Sequence, residues 1–380
     1  MKKLGIFALC AFLSACYCQT RQNCPAKQAL AETASVPETT VASTTLPVTQ
    51  TTQTVSKSTQ AAGEKATQSA AGQITVAATP QTSAQPTPAE TEATPEKGFT
   101  AEQAKALIAQ DRAQQTLSAP PADKRLFKKE NTIPLEGRLL HPLAYEPLLP
   151  DNTHAPWSNE SLKYGIYYSF IKAGTAYIKT RGLVSKNGKT AYLIQTTAFS
   201  ATVIDSVYKV RDINYSWLDV DSLHSLGYSQ SLREGNYKRD EWVTFDDENG
   251  HYYGQVQKKE EPQIIADELK QQVLDMLTSL YYVRAKPLAV GQDVTFDIIN
   301  RETQYPLVVK VLGKETVKTA AGKFDCWVVE PQFRGEGIFV AKGKSLKVWL
   351  TDDKYRMPVK MAVEVFIGSV TAELLAYERN

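Results

Sequence analysis

Two adjacent carboxylates, Asp352 and Asp353, have the side chains for acid and base work, although their place at a strand end suits a hairpin turn equally well. A cell-wall hydrolase would need two carboxylates converging in a cleft, about 5–10 Å apart for glycoside chemistry. His141, His154, His224 and His251 stand alone, with no ligand-type partner two to four residues on, so they read as surface or turn residues and not as a metal site. The acidic run Asp246-Asp247-Glu248-Asn249-Gly250 lacks the alternating oxygen ligands of a calcium loop and reads as a solvated turn. No Gly-x-Ser-x-Gly, HExxH or phosphate-cradling loop occurs, so neither a cofactor nor an enzymatic activity is expected. Arg284 follows Tyr281 and Tyr282 at the end of a helical pattern. It either satisfies terminal helix carbonyls or meets a ligand head group at a cavity mouth, which makes Tyr281, Tyr282 and Arg284 the candidate ligand-binding residues.

The cysteines carry a different chemistry. Lys2 and Lys3 precede an apolar run over 4–13, which is too short to span a bilayer and has the shape of an export signal. Leu13-Ser14-Ala15-Cys16 resembles the lipobox of bacterial lipoproteins, and the resemblance implies that Cys16 is lipidated and becomes the mature N-terminus, with 1–15 removed. An ordinary secretory signal is the alternative. Tyr17 follows where an aspartate would resemble an inner-membrane retention signal, so outer-membrane anchoring is favoured, with the domain facing the periplasm. Cys10 leaves with the signal, and Cys18, Cys24 and Cys326 remain, an odd number. Cys18 and Cys24 are free to pair after export or to stay unpaired. Cys326 sits in a strand-like run and reads as a small core residue.

These groups need a scaffold, and composition limits where it lies. With 43 basic and 41 acidic side chains the net charge is +2, which gives no electrostatic case for binding nucleic acid. Residues 19–98 contain no aromatic side chain and are rich in Thr, Ala, Ser, Gln, Pro and Glu. Such a stretch cannot bury enough apolar surface to offset its ordering entropy, so 16–98 reads as a lipidated, disordered tether with a coil span of roughly 50 Å. Thr100 and Gln103 match a capping box, and Ala104, Leu107 and Ile108 form a thin stripe, which predicts a weakly docked helix within 99–118 that Pro120-Pro121 stops. A proline-rich extended segment follows over 119–160.

From 161 to 380 the pattern is a meander. Leu162, Tyr164, Ile166 and Tyr168 alternate with polar or small residues, and Asn187-Gly188 predicts a type I′ hairpin. About a dozen strands are expected, with short connections that favour antiparallel pairing. Inside this run, Ile265, Leu269, Val273, Met276, Leu277 and Leu280 recur at spacings of three and four, which predicts one long helix over 264–284. The expected fold is therefore mainly β: a curved antiparallel sheet or open β-barrel wrapped around one long helix, which lies in or across its mouth.

Over 162–376 the chain resembles the exported bacterial family catalogued as domain of unknown function 3108. The matching elements are a first strand leading to Ala173-Gly174, 275–284 (DMLTSLYYVR) with Pro287 and Gly291, 321–326 (AGKFDC), 348–353 (VWLTDD) with Pro358, and Gly368-Ser369-Val370. The resemblance implies no assigned activity. The pattern also looks like the open β-barrels of periplasmic lipoprotein carriers, a likeness of architecture alone. The reading is a lipid-anchored envelope protein whose domain binds a lipid or other amphipathic envelope component. Its alternatives are a non-catalytic scaffold that contacts another envelope protein, and the hydrolase.

Overall fold

The computed structural model describes residues 98–113, 133, 135, 137–145, 148–153, 155–258, 261–300, 303–332, 345–364 and 368–379. The expected export signal and tether, with Cys16, Cys18 and Cys24, fall on residues 1–97, which lie outside the described residues, as does His154.

Eight strands form the first meander: β1 (Ser161–Tyr168), β2 (Ile171–Lys186), β3 (Lys189–Ser200), β4 (Arg211–Asp219), β5 (Ser225–Glu234), β6 (Tyr237–Asp246), β7 (His251–Gln257) and β8 (Gln263–Glu268). Six more follow: β9 (Asp293–Asn300), β10 (Thr303–Thr319), β11 (Gly322–Gln332), β12 (Leu346–Thr351), β13 (Pro358–Glu364) and β14 (Ser369–Glu378). All neighbours pair antiparallel, and β14 pairs with β1, so one 14-stranded sheet runs from β8 through β1 and β14 to β9. It is an open sheet, as its two ends are not paired strand to strand. The chain leaving β8 bridges them instead: Leu274 N–H donates to Asp297 O at 2.9 Å, and Ile299 N–H donates to Leu274 O at 3.0 Å. The Asn187-Gly188 turn has φ of 50° and 75°, the left-handed pair that a type I′ turn requires.

Among the described residues three α-helices accompany the sheet, α1 (Ala101–Ala113), α2 (Thr202–Asp205) and α3 (Met276–Ala285), with a 3-10 turn at Pro142–Tyr145. The long helix expected over 264–284 is corrected here, because its first part is β8 and only ten residues are helical. Ile264 and Ile265 alternate across the sheet, with Ile265 buried among Val243 and Phe245 and Ile264 packed toward α1. Leu269 and Val273 are buried in the connection. A strand followed by a buried linker thus reproduced the helical spacing.

The start of α3 is set by Asp275. Its carboxylate accepts from Leu277 N at 2.8 Å and Thr278 N at 3.1 Å, while Asp275 N–H donates to Thr278 Oγ1 at 3.0 Å, a reciprocal capping box. Ser216 and Ser225 also donate to this carboxylate, at 2.9 and 2.6 Å, which ties the helix to β4 and β5. Lys286 adopts an extended conformation and Pro287 follows, so the helix ends there.

The inner face of the sheet is covered, and so is the outer face of its first half. Leu277 and Tyr281 pack with Leu162, Tyr164, Ile178, Tyr192 and Leu374 on the inner face, and Val283 packs with Phe296, Ile298 and Leu307. On the outer face Ile133 joins Leu193, Tyr215 and Trp217. The buried Ala104 and Ile108 of α1 pack against Trp242 and Tyr253, so this helix is docked more firmly than its thin stripe implied.

Candidate functional site

One end of the sheet carries the chain start of β1, the ends of α3 and the 352–357 turn between β12 and β13. At its centre Glu160 and Arg284 form a bidentate ion pair, both bonds 2.7 Å, with both side chains fully buried. The tight turn before β1 delivers Glu160, whose N–H donates to Trp157 O at 3.1 Å. Arg284 reaches it from the last turn of α3 and also donates to Tyr355 O at 3.0 Å. Its guanidinium lies 4.7 Å from the Tyr281 ring centroid and 5.6 Å from that of Trp157. Burial alone would lower the Arg284 pKa, but the Glu160 carboxylate outweighs it and holds the group protonated. Burial and then Glu160 push the Tyr281 phenol up to about 12. Arg284 therefore meets neither the helix carbonyls nor open solvent; it locks α3 to β1 and to the 352–357 turn.

Beside this pair an open cleft of about 490 Å³ is bordered by Pro156, Trp157, Arg284, Ala285, Lys286, Pro287, Asp352, Asp353, Lys354 and Arg356. Asp352 is bonded to Lys314 at 2.6 Å, and that bond holds its carboxyl below the usual carboxylate range. It therefore lacks the raised pKa that a general acid needs. Asp353 accepts from Tyr355 N at 2.9 Å, Arg356 N at 3.0 Å and Thr351 Oγ1 at 2.7 Å, so it is committed to shaping the turn. The turn places Arg356 at φ 44°, a left-handed conformation uncommon for a long side chain. Its Nη1 is buried and has no hydrogen-bond partner. Lys286 sits 4.1 Å over the Tyr282 ring.

Of the three sequence candidates, Arg284 borders the cleft, Tyr281 is buried with its hydroxyl 3.2 Å from Thr180 Oγ1, and Tyr282 is half-buried against Phe296. Glu160, Trp157, Lys286 and Arg356 were not found by sequence reasoning. Only the basic turn Lys354-Tyr355-Arg356 after Asp353 offered a local signal.

The other candidates lie apart. His141 is not a surface residue: it is buried on the outer face, Nδ1 accepting from Leu143 N at 3.0 Å and Nε2 lying 2.8 Å from Thr244 Oγ1. Burial and then the nearby Lys186 hold its pKa well below the usual histidine value, so the ring is neutral. His224 is half-buried beside Tyr282, and His251 adjoins the Asp246 turn, where the Asp246 carboxylate accepts from Asn249 N at 3.1 Å. Cys326 is buried, and burial pushes its thiol up to about 12. Among the described residues no group of three His, Cys, Asp or Glu side chains could hold a metal ion, and no helix is long and apolar enough to cross a membrane.

A family profile described as protein of unknown function (DUF3108) matches residues 163–375, from within β1 to within β14. The chain belongs to the DUF3108 family. No curated protein matches the sequence. Similar solved structures include these three. One is a β-barrel-like protein of domain of unknown function DUF1849 from Brucella abortus, with 9% identity and a TM-score of 0.43, covering 60% of this chain and 99% of that one. A Bacteroides fragilis protein described as exported, with a YmcC-like fold, shares 10% identity at a TM-score of 0.28 and covers 58% and 96%. A Parabacteroides distasonis protein described as a lipoprotein shares 7% identity at a TM-score of 0.27 and covers 60% and 98%. At such scores the three likenesses carry no argument about what this DUF3108 protein does.

Proposed function

We propose that this DUF3108 protein is a lipid-anchored component of the bacterial envelope, held through Cys16 with outer-membrane sorting favoured by Tyr17, and that its domain binds an amphipathic envelope molecule in the cleft beside α3. The observation that carries the reading is Arg356: it borders the open cleft on a left-handed backbone, and its guanidinium keeps one buried nitrogen, Nη1, without a hydrogen-bond partner. The lining is itself amphipathic. Pro156, Trp157, Ala285 and Pro287 offer apolar contact, while Lys286, Lys354 and Arg356 supply cations, and Asp352 and Asp353 are already occupied by Lys314 and by the turn. A volume of about 490 Å³ suits a small ligand or one head group with part of its chain. An anionic head group would complete the guanidinium in the bidentate manner that arginine favours.

The test uses the mature chain carrying Cys16→Ser, exported behind a signal that is cleaved without lipidation and purified without detergent. Mass spectrometry of its organic extract is expected to find an anionic amphiphile at near-stoichiometric amount, lost in Arg356→Ala and Lys286→Ala. A clean extract from the parent chain would remove the support for this reading and shift weight to the scaffold, with crosslinking in cells as the next measurement. The anchor is tested apart from the cleft: the wild-type mature N-terminal peptide should carry the mass of a lipid-modified Cys16.

A further inference from the structure

The end of the sheet opposite the cleft carries a different kind of surface. β1 starts beside Glu160 and its eight residues end before the 169–170 turn, so the two ends lie roughly 25 Å apart along that strand. At this far rim Phe170 is 89% exposed, Ile171 51%, Val203 76% and Val207 63%, four of the eight large apolar side chains exposed among the described residues. Scattered singly they would mean little, but they sit at the turn into β2 and on the 201–210 connection, and the two touch, since Ala201 N–H donates to Ala173 O in the first residues of β2 at 2.8 Å.

The rim is held in place. Arg211 grips Asp205 with two bonds of 2.6 and 3.1 Å, and Ser200 also donates to Asp205 and accepts from Val210 N at 2.8 Å. The 201–210 connection, including α2, is thereby pinned, and Val203 and Val207 point outward from a fixed backbone. The ring of Tyr208 lies where a Cβ on Gly235 would stand, 2.8 Å away, and Gly235 N–H donates to Lys209 O at 2.8 Å, which joins the β5–β6 turn to the same surface. Ser169 N–H donates to Ser369 O at 2.8 Å and fixes the Phe170 turn. Ordering costs on binding are therefore small.

The charge around these tips has one sign. Lys172, Lys209 and Lys238 are exposed, and the only acidic residue in 169–172, 201–211 and 235–238, Asp205, is bound to Arg211. The three segments carry a net charge of +3 on a chain whose total is +2. Apolar tips ringed by lysines match a bilayer surface with anionic lipid: the tips enter the acyl boundary while the lysines stay at the phosphates. We infer that this rim, Phe170, Ile171, Val203 and Val207 with Lys172, Lys209 and Lys238, docks the domain on an anionic lipid bilayer. It does not depend on the cleft holding a ligand. With the rim on the membrane, the cleft faces the aqueous side.

The same unlipidated Cys16→Ser chain keeps the anchor out of the test. It is expected to float with vesicles of phosphatidylcholine containing phosphatidylglycerol and not with phosphatidylcholine alone. The combined Phe170→Ser, Val203→Ser and Val207→Ser variant should bind at least about tenfold more weakly, and so should Lys172→Glu, Lys209→Glu and Lys238→Glu together. All of these positions are solvent-facing, and circular dichroism checks the fold of each variant. Phe170→Trp should be quenched by brominated lipid, whereas Val290→Trp, an exposed position near the other end, should not. Absence of flotation, flotation that both variants retain, or equal quenching at the two tryptophans would overturn the assignment. So would a concentration-dependent dimer that Val203→Ser abolishes in a chain that ignores vesicles, since the rim would then bind a second copy.

Discussion

The two halves of the sheet present inner walls of different character, one apolar and one that mixes apolar with ionisable side chains. Around β1, β2, β11, β13 and β14 the inward side chains are apolar and close on α3: Leu162, Tyr164, Ile178, Val328, Val359 and Leu374. Across β4 to β6 the Ser216 face carries Asp212, Asn214, Glu234, Arg239 and Glu241, every one of them buried, beside the apolar Leu232, Val243 and Phe245. Arg239 and Glu241 pair with each other, and Tyr228 donates to Glu241 at 2.5 Å. Asp212 and Glu234 have no comparable rescue: one oxygen of Asp212 is unpartnered, and burial raises both pKa values, that of Asp212 well above the ordinary range and that of Glu234 to about 7. The difference separates two uses of burial. One wall removes apolar area from water and stabilises; the other keeps carboxyls where ionising them is costly.

The largest expected effect tests the first wall. Arg284→Ala leaves Glu160 charged and fully buried, and breaking a buried ion pair on one side costs about 3–5 kcal/mol, read as a lower urea midpoint at unchanged slope. The double variant Glu160→Met with Arg284→Met should recover most of that loss, because the pair sits among Trp157, Tyr164 and Tyr281 and apolar side chains of similar size can replace it. A double variant as unstable as the single one would mean that the ion pair itself, and not its broken half, holds α3.

The second wall is probed by Glu234→Gln. The folded-state pKa of Glu234, about 7, lies above its ordinary 4.5, so the folded protein binds the extra proton between those values. Its contribution to stability is then present at low pH and is lost as pH rises from about 4.5 through 7. Glu234→Gln should be more stable than the parent above pH 7, by on the order of 2–3 kcal/mol, with the gap closing toward pH 4.5. The subtraction matters, since neutral His141 acts in the opposite sense and weakens the fold as pH falls below about 6.5 in parent and variant alike. Paired denaturation series from pH 5 to 8 measure the difference, and a constant offset would show that Glu234 does not titrate in this window.

How much of this was legible in the sequence depends on range. Alternation in Leu162, Tyr164 and Ile166 and the Asn187-Gly188 turn are local signals, and the strands and hairpins they specify are in place. The β1–β14 pairing joins residues more than two hundred positions apart, so no local pattern encodes the order of the sheet. β8 was hidden because a strand residue, Ile265, and two buried linker residues, Leu269 and Val273, fell at helical intervals. The polar wall was hidden in a similar way: Asp212, Asn214 and Ser216 alternate with Ile213, Tyr215 and Trp217, a pattern that normally means a solvated face. Here the apolar face is covered by Ile133, Leu135, Leu140 and Leu143, and the polar face is also turned inward. Arg284 was visible as a residue, but its partner Glu160 lies 124 positions away in a turn with no signal of its own.

The smallest effect is expected where the two walls meet. Asp275 caps α3, which belongs to the apolar wall, and takes hydroxyl bonds from Ser216 and Ser225, which belong to the polar one. Burial raises its pKa, and the hydroxyls of Ser225 and Ser216 and the N–H groups of Leu277 and Thr278 pull it back. Asp275→Ala removes the cap and strands these donors, for a loss of about 2 kcal/mol. Asp275→Asn retains the amide oxygen that the helix N–H groups need and gives up a charge that burial disfavours. The two changes oppose each other, and the net shift should stay under about 1 kcal/mol. Its sign is the informative part. A gain above pH 7 would place Asp275 with Glu234, as a carboxyl whose ionisation the interior resists; a loss would place it with Glu160, as a charge the fold has built its bonds around. Thermal unfolding of the two variants beside the parent decides between them.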